Sequence, residues 1–304
     1  MLQCERSKGR ERLLMEGYLL IILFTLFHLG ETLFVKEYAK RHGNGGMLMN
    51  AVIALFSCLF FLLTDTGGFV VPEGMLPLAL LNACLYAAGF YCAFVTFRIG
   101  PFGLSRLFLN LSLLFTVFYG IFFLNEETTV LTYLGLALIA TAVLLVNMPG
   151  RHKEGKDTPG KVSLRWIVCL LITVVANGFG GILTRMQQIR FANACSNEFQ
   201  FISIGGSCLI LAALALILER HRLRSFLKSG TLYGLGAGLC NGTKNLVALA
   251  IYLFIPISTA SPLKTGLGMV AAFLAAILLY KEKYTTIQKL GVLAGATAVV
   301  LLAL

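Results

Sequence analysis

Ten apolar stretches separated by short polar turns leave this chain few folds to adopt. They run over about 13–35, 47–64, 75–97, 102–124, 130–147, 165–185, 198–218, 231–254, 257–280 and 286–304. A helix needs ~20 apolar residues to cross a bilayer. Inside lipid every backbone N–H must find its acceptor within the protein, which favours helices. The pattern therefore predicts an all-α membrane protein with ten transmembrane helices. The balance of residues agrees: 58% are hydrophobic and 13% charged, against about 45–50% and about 25% in soluble domains. The net charge of +11 does not point to nucleic acid, because the basic residues lie in short loops where they suit anionic lipid headgroups. Arg6, Lys8, Arg10 and Arg12 precede the first apolar run. That run shows no small-residue cleavage site and reads as a retained span rather than a signal peptide. Eight cysteines form no CxxC pair, so no disulfide framework, metal site or cofactor is expected.

The halves of the chain resemble each other. The polar stretch 150–163 separates residues 1–149 from 164–304, five apolar segments on each side. Residues 125–146 overlay 281–302 at a constant offset of 156, which puts Glu126 on Glu282, Thr129 on Thr285, Gly135 on Gly291 and Ala140–Val143 on Ala296–Val299. The same offset puts Ser105 on Ser261. With an odd number of helices per copy, the second starts from the opposite side of the membrane. The expectation is two inverted five-helix repeats, the plan of many secondary transporters, with the binding site near the midplane. Orientation is contradictory. The odd-numbered connections carry most of the Lys and Arg, which places both termini outside, whereas the basic N-terminal tail argues the reverse.

Several stretches are similar to the drug/metabolite transporter superfamily in its EamA-like branch. They are YCAFVTFRIGPFGLSRLFLN (91–110), the glycine-then-lysine ending Gly30 to Lys36 of the first segment, and the two copies LGLALIATAVLL and LGVLAGATAVVLL, each preceded by a loop glutamate. The resemblance covers roughly residues 15–304. It implies a secondary carrier of small metabolites or drugs, often an exporter. The chain departs from the family pattern at Leu29, where a tryptophan is usual, and near Ser112 and Gly268, where mid-helix prolines are usual. Aligned on Lys36, the first-helix glutamate of the related small multidrug resistance proteins falls on His28, so their cation-export mechanism is not carried over.

Charged side chains within the spans are the candidate site. Lys244 and Lys264 lie deep in the eighth and ninth segments, and an ionised group there costs about 2.5–3.5 kcal/mol on insertion scales. Asn241 shares a face with Lys244, and Asn177 lies at similar depth. Arg106 and Asn110 of the fourth segment complete the expected substrate-binding set. Glu31 pairs with Arg106, or sits at the rim while Arg106 snorkels to the headgroups. His28 is one helical turn from Glu31; an unperturbed imidazole titrates at about 6.5, which suits proton coupling by the two. Pro256 and Pro262 open the ninth segment, and Gly100, Pro101 and Gly103 the fourth. Helix ends broken this way would offer free N–H groups to an anion. Gly234, Gly238 and Gly242 read as a packing stripe, and Trp166 as an interface anchor.

Three interior cations against one carboxylate favour an anionic or zwitterionic substrate. The expectation is a secondary active transporter, an exporter, working by alternating access in the plasma membrane as a monomer or homodimer among lipids. The alternatives are a proton-coupled exporter of organic cations centred on Glu31, and a membrane interaction or lipid-handling protein without turnover. No HExxH, G-x-S-x-G or P-loop motif supports an enzyme.

Overall fold

The computed structural model describes residues 2–42, 46–64, 68–99, 109, 111–146, 163–280 and 285–303; for 2–14, 40, 97, 98, 146, 276, 280 and 303 it describes the backbone alone. Among the described residues regular structure is helical. The principal helices are α1 (Leu2–His42), α2 (Gly46–Thr64), α3 (Met75–Ile99), α4 (Ser112–Phe118, prolonged by a π-helical turn at Tyr119–Phe123), α5 (Val130–Val146), α6 (Leu164–Arg190), α7 (Ser196–Leu218), α8 (Thr231–Phe254), α9 (Ile257–Tyr280) and α10 (Thr286–Ala303). A short helix, Leu223–Ser229, precedes α8.

Six spans, within α1, α2, α3, α6, α7 and α9, are long and apolar enough to cross a membrane. Three apolar helices, Ser112–Phe123, Val130–Leu145 and Thr286–Leu302, are shorter. Of the fourth expected segment, 102–108 and 110 lie outside the described residues, and most of the rest forms α4 and its π-helical turn. In α8, glycines together with Asn241, Lys244 and Asn245 dilute the apolar character. Two helices outrun their expected ends. In α1 the polar extension is supported by Arg41 Nε donating to Glu37 Oε1 at 2.7 Å, an i,i+4 pair. In α6 it ends where Ala192 and Asn193 turn to positive φ, tied down by Gln187 Nε2 donating to the Ala194 carbonyl at 2.8 Å.

The chain divides into two packed units, one of Met1–Phe27, Thr116–His152 and Lys244–Leu304, the other of His28–Phe115 and Lys153–Thr243. The division falls inside α1, α4 and α8. In the first unit α5 packs along α10, and α10 along α9. Small residues allow the approach: a methyl at Gly135 would lie 2.6 Å from Leu302, and one at Gly266 2.8 Å from Ile139. Ala142 and Ala298 are fully buried. Both helices begin with the same reciprocal cap. Thr129 and Thr132 exchange N–H to hydroxyl bonds at 3.3 Å. Thr285 N–H donates to Gln288 Oε1 at 3.0 Å, and Gln288 N–H to Thr285 Oγ1 at 3.4 Å. This is a capping box, which satisfies two otherwise orphaned donors.

In the second unit α2 packs along α7, and α3 along both α6 and α7. The glycine stripe of α8 lies against α2 as expected: Gly234 meets Val52, Gly238 meets Phe56, and Gly242 meets Phe60. Trp166 departs from expectation. It is only 4% exposed, turned into the protein on the first turn of α6, whose cap is Ser163 Oγ accepting from the Trp166 N–H at 3.2 Å. A methyl added at Gly238 would sit 2.5 Å from Phe56 Cβ and 3.0 Å from the Ile53 carbonyl, and the latter, being backbone, cannot rotate away. Gly238→Ala should therefore lower stability by about 1–3 kcal/mol, read as a fall in Tm of the full-length protein in detergent.

Candidate functional site

Two polar constellations lie in the apolar spans, one in each unit. In the first, α9 presents Lys264 two turns after its start. Lys264 Nζ donates to Tyr252 Oη at 2.7 Å. The ammonium lies 4.3 Å from the Tyr252 ring centre and 5.2 Å from that of Phe24. A cation held against a ring gains about 0.5–2 kcal/mol, so two rings return an amount comparable with the ~2.5–3.5 kcal/mol cost of the charge. Among the described residues no carboxylate pairs with Lys264. Lys244 belongs to the same unit and is half-buried.

A carboxylate of the same unit is spent elsewhere. Glu126, in the loop before α5, accepts the N–H of Ile257 at 3.0 Å through Oε1 and that of Ser258 at 2.9 Å through Oε2. These are the first two amides of α9, where a carboxylate suits the positive end of the helix. The expectation that the Pro256 break offers free N–H groups to an anion is thus corrected for these two donors. The π-helical turn shapes the reach: Glu126 N–H bonds the Gly120 carbonyl at 3.1 Å, and a methyl at Gly120 would lie 2.5 Å from Glu126 Oε2.

In the second unit α1 and α8 run antiparallel, with Gly30 against Cys240 and Phe34 against Gly236. That register brings Asn241 Nδ2 to donate to Glu31 Oε1 at 2.8 Å. Asn241 Oδ1 faces Ser57 Oγ at 3.1 Å; the serine also reaches the carbonyls of Ile53 at 2.8 Å and Gly238 at 3.0 Å. His28 Nδ1 stands 3.9 Å from Glu31 Oε2, beyond hydrogen-bond length, with the imidazole 47% and the carboxylate 16% exposed. The hydrogen bond fixes Asn241 as a partner of Glu31, whereas sequence reasoning put the two in different roles. Asn177 of α6 is exposed, its Oδ1 beside Gly89. Arg106 and Asn110 lie outside the described residues, and with them the expected Glu31–Arg106 pair.

Three residues here were not foreseen: Tyr252, Phe24 and Ser57. Tyr252 was within reach, since Asn241, Asn245 and Tyr252 recur at helical spacing on one face of α8. Phe24 and Ser57 carried no such signal among their apolar neighbours.

The chain matches the EamA-like transporter family over residues 15–148. Those residues are EamA-like transporter sequence, within the drug/metabolite transporter superfamily. No curated protein matches the chain. A solved structure titled only as the crystal structure of a protein aligns over 94% of this chain and 96% of its own, with a TM-score of 0.71 at 10% identity. At that identity the likeness is one of fold. The chain is a multi-pass membrane protein, and its match to a transporter family covers less than half of its length. The family match contains His28, Glu31 and Glu126, while Asn177, Asn241, Lys244 and Lys264 lie beyond it. Removing the cap is testable. Glu126→Ala leaves two α9 amides without their acceptor and should cost about 1–3 kcal/mol. Glu126→Gln, which keeps one acceptor oxygen, should cost less in the same thermal unfolding series.

Proposed function

We propose that this EamA-like protein is a secondary active carrier of a small anionic or zwitterionic metabolite, with Lys264 as the group that takes the substrate's negative charge. One observation carries the reading: the Lys264 ammonium is held by the hydroxyl and ring of Tyr252 and the ring of Phe24, and by no carboxylate among the described residues. A half-buried cation with no counter-ion among the described residues is a standing preference for an anion. Lys244, in the same unit, adds to that preference. Glu31, which accepts from Asn241 and has His28 one helical turn away, carries proton coupling.

The scaffold we infer is ten spans in two inverted repeats, residues 1–149 and 164–304, with 150–163 between them. Inverted repeats can pair an element with its own counterpart, and within each unit one such pair supports the reading: α5 with α10 in the first, α2 with α7 in the second. The matching detail in α5 and α10 supports it further, since Thr141 and Thr297, related by the offset, each bond the carbonyl four residues back, at 2.8 and 3.0 Å.

Lys264→Ala should reduce exchange of organic anions in proteoliposomes at least about tenfold, a loss of about 1.4 kcal/mol, with insertion unchanged. Full exchange by that variant would sink the assignment of Lys264. Glu31→Gln should retain exchange at equal pH but lose its acceleration by an imposed pH gradient.

A further inference from the structure

The connection between α7 and α8 is not a tight turn. It runs from Glu219 through a single 3₁₀ turn, Arg220–Arg222, into the short helix Leu223–Ser229. The sequence ERHRLRSFLKS holds four permanent cations and one acid. The acid faces inward: Glu219 is 9% exposed and accepts the Leu48 N–H at 3.0 Å through Oε2, at the start of α2. Phe226 pins the short helix down. It is buried, with its ring 5.4 Å from that of Tyr38, which lies 5.7 Å from that of Tyr233. The cations face outward. Arg220, Arg222, Arg224 and Lys228 are exposed, and among the described residues none forms an ion pair.

Arg224 and Lys228 are four apart and share one face of the short helix, and Leu223 and Leu227 share the next. Leu227 is exposed, as are Ile217 and Leu218 at the end of α7 and Leu232 at the start of α8. Unneutralised cations thus border exposed aliphatic side chains at the ends of two apolar helices. A soluble phosphate would satisfy the cations and leave the leucines in water. An anionic phospholipid satisfies both, with phosphate at the guanidinium and ammonium groups and acyl chain at the leucines.

We infer that the segment Arg220–Lys228 is a docking surface for anionic phospholipid headgroups. Phe226 and Glu219 fix its position on the protein, and the four cations read the headgroup charge. This is independent of the nature of any transported solute.

The test uses full-length protein in phosphatidylcholine nanodiscs with increasing phosphatidylglycerol, read as Tm. The wild type should be stabilised by phosphatidylglycerol, and equal concentrations of inorganic phosphate should not shift it. R220Q/R222Q/R224Q/K228Q should match the wild type in pure phosphatidylcholine and need at least about tenfold more phosphatidylglycerol for the same shift, since each cation near an anionic surface contributes a few-fold. R220K/R222K/R224K, which keeps the charge, should retain the response. An unchanged response in the quadruple glutamine variant overturns the inference, as does equal stabilisation by inorganic phosphate. If the quadruple variant does not fold, R224Q/K228Q, confined to the exposed face of the short helix, decides: a raised phosphatidylglycerol requirement supports the surface and an unaltered one rejects it.

Discussion

The cost of an unneutralised charge in a low-dielectric interior governs how this chain uses its ionisable residues. Three of its inward-turned carboxylates are spent on backbone amides. Glu126 binds the first two amides of α9, Glu219 that of Leu48, and Glu198, only 7% exposed, approaches that of Val70 at 3.4 Å. Each such bond satisfies a donor that lipid cannot. The same allocation leaves Lys264, among the described residues, without an acid and dependent on Tyr252 and Phe24. That allocation, with a lysine held by neutral groups among the described residues, is what the proposed anion site rests on.

Close helix approach is the second constraint, and glycine supplies it. In the second unit the α8 stripe lets α2 come near enough for Ser57 to reach the Gly238 carbonyl and Asn241. Gly30 of α1 takes the Cys240 side chain. The hydrogen bond between Asn241 and Glu31 is therefore a product of packing: without those contacts the register of α1 on α8 would not be held. The first unit repeats the principle, with Gly135 taking Leu302, and Gly266 taking Ile139 and Val299.

Much of this was legible in one dimension. The bounds of α8 and α9 follow from Pro256 and from where the apolar runs stop, and the matching caps of α5 and α10 follow from Thr129 and Thr285. The polar ends of α1 and α6 were not legible, because an i,i+4 ion pair and a side-chain tie at Ala194 extend helices past their apolar stretch. The role of Glu126 was hidden for a different reason. A glutamate at a loop reads as a boundary, and its partners in α9 are 131 and 132 residues away in sequence. Trp166 shows the limit of residue-type rules, since an indole near a span end suits the interface yet packs inward here. The aromatic partners of Lys264 depend on the rotation of α1 and α8, which apolar periodicity does not fix when every face is apolar.

The central claim is that this interior prefers negative charge, and a binding measurement on the unmodified protein addresses it without knowledge of the physiological solute. Matched ligands differing only in charge, an organic carboxylate, its neutral amide and a quaternary ammonium of similar size, would be compared by the shift each produces in Tm of the full-length protein. Stabilisation by carboxylates that is absent with the corresponding amides is the predicted result. Stabilisation by the quaternary ammonium in preference to the carboxylate would contradict the account.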